Sequence, residues 1–178
     1  MAAYSKATIK KLLKIADTAT TADAKGAAFE ELFCYLIGKI QGITHIERNP
    51  LSAAGSEELD IVVWNEKHPD GLSSLNNIIP IECKNCVKAV SSQQVDWFIS
   101  KIRRRSLDFG IMVAAEGVAG NPNRITGAYD VVSGAIQEGI RVIVVTRDDI
   151  ESLTTSEQFI KMIQVKICRL VIKRTASP

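Results

Sequence analysis

The chain has 178 residues, 46% of them hydrophobic and 24% charged, with a formal net charge of +2. That length holds one domain with a sizeable core, and that composition excludes a disordered chain. No apolar run reaches the ~18 residues of a membrane span and no signal-peptide core opens the chain, so a cytoplasmic protein with no membrane partner is expected; with charge so near neutral, affinity for nucleic acid has to come from local clusters of cations.

Residues 5–16 read as a short amphipathic helix, with Ile9, Leu12, Leu13 and Ala16 at helical spacing and a solvated lysine face. A polar stretch, 18–25, separates it from a stronger helix over 26–40, where Phe29, Leu32, Phe33, Leu36, Ile37 and Ile40 form one apolar stripe. On the helical wheel Glu30 borders that stripe and Glu31 points away into solvent. Glu30 has two readings: an acid reaching a site on the neighbouring sheet, or an acid favoured near a helix N-terminus by the macrodipole. Gly42 stops the helix, and strands follow at 44–48, 58–64 and 78–84. A loop over 49–56 joins the first two, and a polar connection over 65–77 with the turn signal Pro69-Asp70-Gly71 joins the others. Strands so connected form an antiparallel meander, and the longer connection reads as a wide hairpin loop placed to lie against a substrate.

The next helix, 91–105, buries Val95, Phe98, Ile99 and Ile102. Gln94, Lys101 and Arg105 share a narrow sector beside that face, and Arg103 and Arg104 extend the charge. The runs 109–115 and 140–146 are almost wholly apolar, as in strands covered on both faces. With a helix over 126–138 between them and Gly139 as its stop, they form a right-handed unit of parallel strands. The glycine-rich connection 116–124 lacks the Gly-Lys-Ser/Thr ending of a phosphate loop and reads as a connection approaching substrate. Thr154-x-x-Glu157 reads as a capping box for a final helix to about residue 173, carrying Lys161, Lys166, Arg169, Lys173 and Arg174.

Cysteines stand at 34, 83, 86 and 168. Cys83 and Cys86 form a Cys-x-x-Cys, but a zinc site needs two more ligands. No second pair exists, and His45 and His68 have no ligand spacing to it. Ordinary thiols in a reducing compartment are the expectation.

Within 78–84, strand alternation puts Glu82 and Lys84 on one face and Ile79, Ile81 and Cys83 on the other. Within 58–64, Asp60 shares a face with Val62 and Trp64, opposite Leu59, Ile61 and Val63. Charges set into strands cost free energy unless they are paired or bound to a metal. Two readings stand side by side. One is a cross-strand salt-bridge cluster without catalysis. The other is a divalent-cation site beside an ammonium group, which is the equipment for hydrolysing a phosphodiester.

Asp60 followed by Glu82-Cys83-Lys84 resembles the signature of the PD-(D/E)xK nuclease superfamily, which contains restriction endonucleases and Holliday-junction resolvases. Gly26-Ala27-Ala28-Phe29-Glu30 resembles the Gly-x-x-Phe-Glu pattern of Mrr-like members. Gln94-Val95-Asp96-Trp97-Phe98 resembles their Gln-apolar-x-x-apolar helix. The likeness covers about residues 26–150, with one departure: Leu59, not proline, precedes Asp60. It implies an α/β fold with a restriction-endonuclease-like core, a central mixed β-sheet flanked by helices in the order α-β-β-β-α-β-α-β. The chain 1–178 would be a single nuclease-like domain flanked by helices at 5–16 and about 155–173.

The resemblance further implies a Mg²⁺-dependent endonuclease of restriction or defence type that acts on DNA, with Mn²⁺ substituting for Mg²⁺. Its catalytic residues would be Asp60, Glu82, Lys84, Glu30 and Gln94. Asp60, Glu82 and the Cys83 backbone carbonyl would hold the metal, and the products would carry a 5′-phosphate and a 3′-hydroxyl. Lys84 would orient the attacking water or stabilise charge; acting as a base it would need a depressed pKa. Lys101, Arg104 and Arg105 are expected on DNA phosphates. The flanks are single helices, so target specificity would be weak or would come from a partner subunit; a homodimer is a separate expectation. The alternatives are a Holliday-junction resolvase and a DNA-binding module of the same fold without turnover.

Overall fold

The computed structural model of the chain describes residues 2–52, 55 and 57–173. Ala53, Ala54 and Ser56 of the expected loop, and Arg174 at the end of the expected last helix, lie outside the described residues. The elements in chain order are α1 (Lys6–Thr18), α2 (Ala22–Ile37), β1 (Ile43–Arg48), β2 (Ile61–Asn65), β3 (Ile78–Lys84), α3 (Ser92–Arg104), β4 (Phe109–Ala114), α4 (Ala128–Gln137), β5 (Arg141–Val145), α5 (Arg147–Ser152) and α6 (Ser156–Lys173).

Among the described residues the strands form one sheet in the order β1-β2-β3-β4-β5. The first three are antiparallel neighbours, while β3, β4 and β5 run parallel. The parallel pairs are bridged by α3 and α4, which pack on each other over one face of the sheet. On the other face α2 meets β3 and α6 meets β5, and Phe33 of α2 touches Phe159 of α6 edge-on at 5.6 Å. Three layers therefore bury the sheet, and β4, covered on both sides, is buried at every residue. The approach of α3 is unusually close. A Cβ at Gly110 of β4 would stand 2.5 Å from Ile102 Cδ1 and 2.9 Å from Phe98 Cζ.

Several boundaries differ from expectation. α2 starts at Ala22 rather than 26, because Thr21 caps it by accepting the Ala24 N–H and Asp23 sits in the first turn. Gly26 lies inside this helix and does not open it. The helix ends at Ile37, where Gly38 packs so tightly that a Cβ would be 2.9 Å from the Cys34 carbonyl oxygen. β2 begins at Ile61, which leaves Asp60 at the bend just before the strand. α5 has no counterpart in the expected elements. It is a six-residue helix, too short for apolar periodicity, closed by reciprocal bonds between Thr146 and Asp149. The cap of α6 is Thr155, whose hydroxyl accepts the Gln158 N–H, one residue beyond the expected Thr154. The outer helices are tied to the core: Tyr4 donates its hydroxyl to the Leu36 carbonyl at 2.9 Å, and Ile9, Leu12, Leu13 and Ala16 of α1 are buried. Among the described residues no helix is long and apolar enough to cross a membrane.

The connection 65–77 does not face the charged cluster. It closes the hairpin at the Trp64–Ile78 end, whereas Asp60 and Lys84 lie at the opposite end of the same strands. Buried Asn65 holds it compact by donating to the carbonyls of Leu72 and Asn76.

Candidate active site

The β2–β3 register assembles the site. Ile61 pairs with Ile81, so one further step brings Asp60 opposite Glu82. Side chains directly opposite in an antiparallel pair share a face, ~4.5–5.5 Å apart at Cβ. Lys84, two residues along β3, joins them. Its ammonium lies 2.8 Å from Glu82 Oε1 and 3.6 Å from Asp60 Oδ2, so one cation touches both acids. Asp60 also accepts the Cys83 N–H at 2.6 Å, and this pins its carboxylate against β3. The cluster is well shielded, with side-chain exposures of 7% for Glu82, 18% for Asp60 and 26% for Lys84.

The charges perturb one another. Burial and the like charge of Glu82 push the Asp60 pKa up, against the opposing pull of Lys84, the Cys83 N–H and Lys101. For Lys84, burial works to lower the pKa, but Glu82 and Asp60 together outweigh it and the net shift is upward. Lys84 is thus held as a cation in this arrangement, the reverse of the depressed pKa a lysine base requires.

The cluster forms the floor of an open cleft of about 610 Å³. One wall is α3, which contributes Gln94, Trp97, Lys101 and Arg104; Glu57 and Glu58 also line the cleft. Lys101 donates to both Glu82 oxygens, at 3.1 and 2.9 Å, and so belongs to the acid cluster itself. The sequence alone reads Lys101 as a phosphate contact. Its signal was present, since it shares the Gln94 sector, but its partner was not. Gln94 closes a capping box with Ser91, accepting from both the backbone N–H and the hydroxyl. What remains for the cleft is its amide N–H group. Arg104 and Arg105 are both held by Glu57, Arg105 at 3.0 Å.

Glu30 is not brought into this cleft. Its carboxylate receives Arg48 at 2.9 Å, and the same guanidinium donates to the Ala27 carbonyl. Cys83 turns to the opposite, buried side, where desolvation raises its thiol pKa. Cys86 is exposed, and among the described residues no group of three or more His, Cys, Asp or Glu side chains gathers. An ion here would therefore rest on two side-chain carboxylates and backbone oxygen.

The connection 116–124 leaves the same C-terminal end of the parallel strands but does not line the cleft. It borders a separate depression of about 340 Å³ beyond β4 and β5. Arg147 there is fully engaged by Asp17 and Glu151.

No protein-family profile matches the chain, and no curated protein matches it. Among solved structures, the chain is similar to the small subunit of the heterodimeric restriction endonuclease R.BspD6I. The TM-score is 0.55 at 13% identity, over 96% of this chain and 90% of that one. The likeness is one of fold: an α/β core of restriction-endonuclease type, with a five-stranded mixed sheet flanked by helices.

Proposed function

We propose that the chain is a metal-dependent endonuclease of the PD-(D/E)xK type that hydrolyses DNA phosphodiester bonds in restriction or defence. The observation that carries this reading is the single ammonium of Lys84 in contact with both Asp60 and Glu82, on the floor of an open cleft with cations in its wall. A structural ion pair of Lys84 with Glu82 has no need of a second carboxylate, and burial and Glu82 disfavour the Asp60 anion. A divalent-cation site does gain from it, because the ion relieves that repulsion.

The donor set fits Mg²⁺, a hard cation that takes one or two carboxylates and completes its shell with water and phosphate. Asp60, Glu82 and the Cys83 carbonyl would hold it, and Mn²⁺ would substitute. When bound, the ion supplies Lewis acidity at the phosphate. Lys84, charged, orients the attacking water and offsets negative charge growing on the phosphate oxygens. Lys101 shares Glu82, so metal and lysine compete for its oxygens. The Gln94 amide offers donors from the wall, and Glu30, through Arg48, steadies the end of β1 beside the site. Arg104 and Arg105, held by Glu57, contact DNA phosphates when that clamp opens.

The whole length acts as one nuclease-like unit, as a homodimer or with a partner subunit that recognises the target. The test is nicking of supercoiled plasmid with Mg²⁺ or Mn²⁺ by wild type and Lys84→Ala. Loss of ~10²-fold or more in the variant, with metal binding retained in calorimetry, is expected for a residue that stabilises transition-state charge. Equal cleavage by both proteins ends the assignment. Binding without cleavage on any metal identifies a silent DNA-binding module, and selective cutting of four-way junctions identifies a resolvase.

A further inference from the structure

On α3 the side chains of Val95, Phe98, Ile99 and Ile102 are buried, yet Trp97 among them is 62% exposed. An indole left in water forgoes one of the largest burial gains a side chain offers. Trp97 sits one helical turn from Gln94 on one side and from Lys101 on the other. All three line the wall above Asp60, Glu82 and Lys84. Trp97 lines the same cleft as the acids, so a molecule that enters the cleft to reach them meets this indole.

The ring narrows what that molecule is. Within a continuous duplex each base is stacked on both faces and shows a protein only its edges. An indole meets the face of a base only where the base has left the stack. Aromatic platforms set among cations are the composition of single-strand grooves; here the cations flanking Trp97 are Lys101 and Arg104, which Glu82 and Glu57 hold until a phosphate competes for them. The open cleft, at about 610 Å³, falls within the ~300–1,000 Å³ range of small-molecule sites, which leaves room for one base and its sugar.

We propose that Trp97 is the stacking platform for an unpaired base beside the scissile phosphate. The preferred substrate is then DNA with an unpaired stretch at the cleavage point, such as a gap, bulge or frayed end, over continuous duplex. This deepens the nuclease reading and rests on it.

The chain has two tryptophans. Trp64 lies at the far end of β2 with its N–H on Glu66 at 2.8 Å, so Trp64→Phe leaves Trp97 as the sole emitter. Combined with Asp60→Asn to prevent cutting, this variant is titrated in chelator with oligothymidine, a gapped duplex and the matching intact duplex. Saturable quenching by the first two and little by the third is expected. Trp97→Leu, followed by anisotropy, should weaken gapped-duplex binding roughly 5- to 150-fold, the equivalent of ~1–3 kcal/mol per stacked base, and leave intact duplex unchanged. Trp97→Phe should recover part of the loss. Equal quenching by intact duplex, or equal weakening on all DNA forms, overturns the proposal. DNA that binds this variant and is cut by the wild type, with Trp97 emission unmoved, overturns the stacking alone. Wild type that neither binds nor cuts DNA of any form with Mg²⁺ or Mn²⁺ removes the nuclease reading, and the proposal with it.

Discussion

Asp60 and Glu82 carry the same charge on neighbouring strands, yet the fold treats them oppositely, and two near-isosteric substitutions separate them. Glu82 is 7% exposed at its side chain and holds two ammonium groups, Lys84 at 2.8 Å and Lys101 at 2.9 Å. Glu82→Gln leaves those cations facing each other across a neutral amide. Removing one partner of a fully buried pair costs ~3–5 kcal/mol. Here the lysine side chains are 26% and 20% exposed and can turn partly to water. A loss of ~2–3 kcal/mol is the discounted expectation. Asp60 is the reverse case, because burial and Glu82 raise its pKa. A carboxyl that binds its proton more tightly when folded contributes stability that is fully present below the unfolded pKa. That contribution is lost as pH rises through the folded value. Asp60→Asn removes the ionisation and keeps an oxygen for the Cys83 N–H. Without metal, in neutral buffer, it should be at least as stable as wild type. The difference should vanish in acid below the ordinary carboxyl value of 3.8. Both variants should lose Mg²⁺-dependent cleavage by ~10³-fold or more, since a catalytic metal contributes several kcal/mol to the transition state. Urea unfolding in chelator reads the stabilities and plasmid nicking reads the activity. Destabilisation of Asp60→Asn comparable to that of Glu82→Gln would refute the reasoning, because Asp60 would then be serving the fold and not an ion.

Mn²⁺ affinity, followed by calorimetry, should fall as pH drops through the raised Asp60 pKa, with a midpoint above 3.8; a midpoint at or below that value contradicts the shift. Lys101→Met removes the competitor for Glu82 and should tighten Mn²⁺ binding by up to about tenfold, ~1.4 kcal/mol, whereas unchanged affinity would mean that Lys101 and the ion do not share those oxygens. Glu57→Gln releases Arg104 and Arg105 and should strengthen DNA binding while steepening its salt dependence by ~1–2 in log–log slope, one for each phosphate gained. Gly110→Ala drives a methyl group against Ile102 and Phe98 and should cost ~1–3 kcal/mol in urea unfolding. By lifting α3 from β4 it should also lower cleavage.

Period and composition were enough to read the strands, the apolar faces of α2 and α3, and the pairing of Glu82 with Lys84 on one side of β3. Each of these depends on neighbours within a few residues, where side-chain direction follows from backbone geometry. The helix starts were less legible. Thr21 and Thr155 decide them through single capping bonds that several nearby threonines and serines could have made. Whether Asp60 meets Glu82 could not be read in this way. A slip of one residue across the connection 66–77 turns every side chain of β2 to the opposite face. Only the packed sheet, with Ile61 against Ile81, sets that register. The same holds for the partners of the long charged side chains. Glu30 is taken by Arg48, Arg104 and Arg105 by Glu57, and Lys101 by Glu82. These contacts join residues 18 to 48 positions apart. Ionic attraction between flexible arms carries no sequence period, so the choice of partner falls to whichever opposite charge the tertiary structure brings within reach.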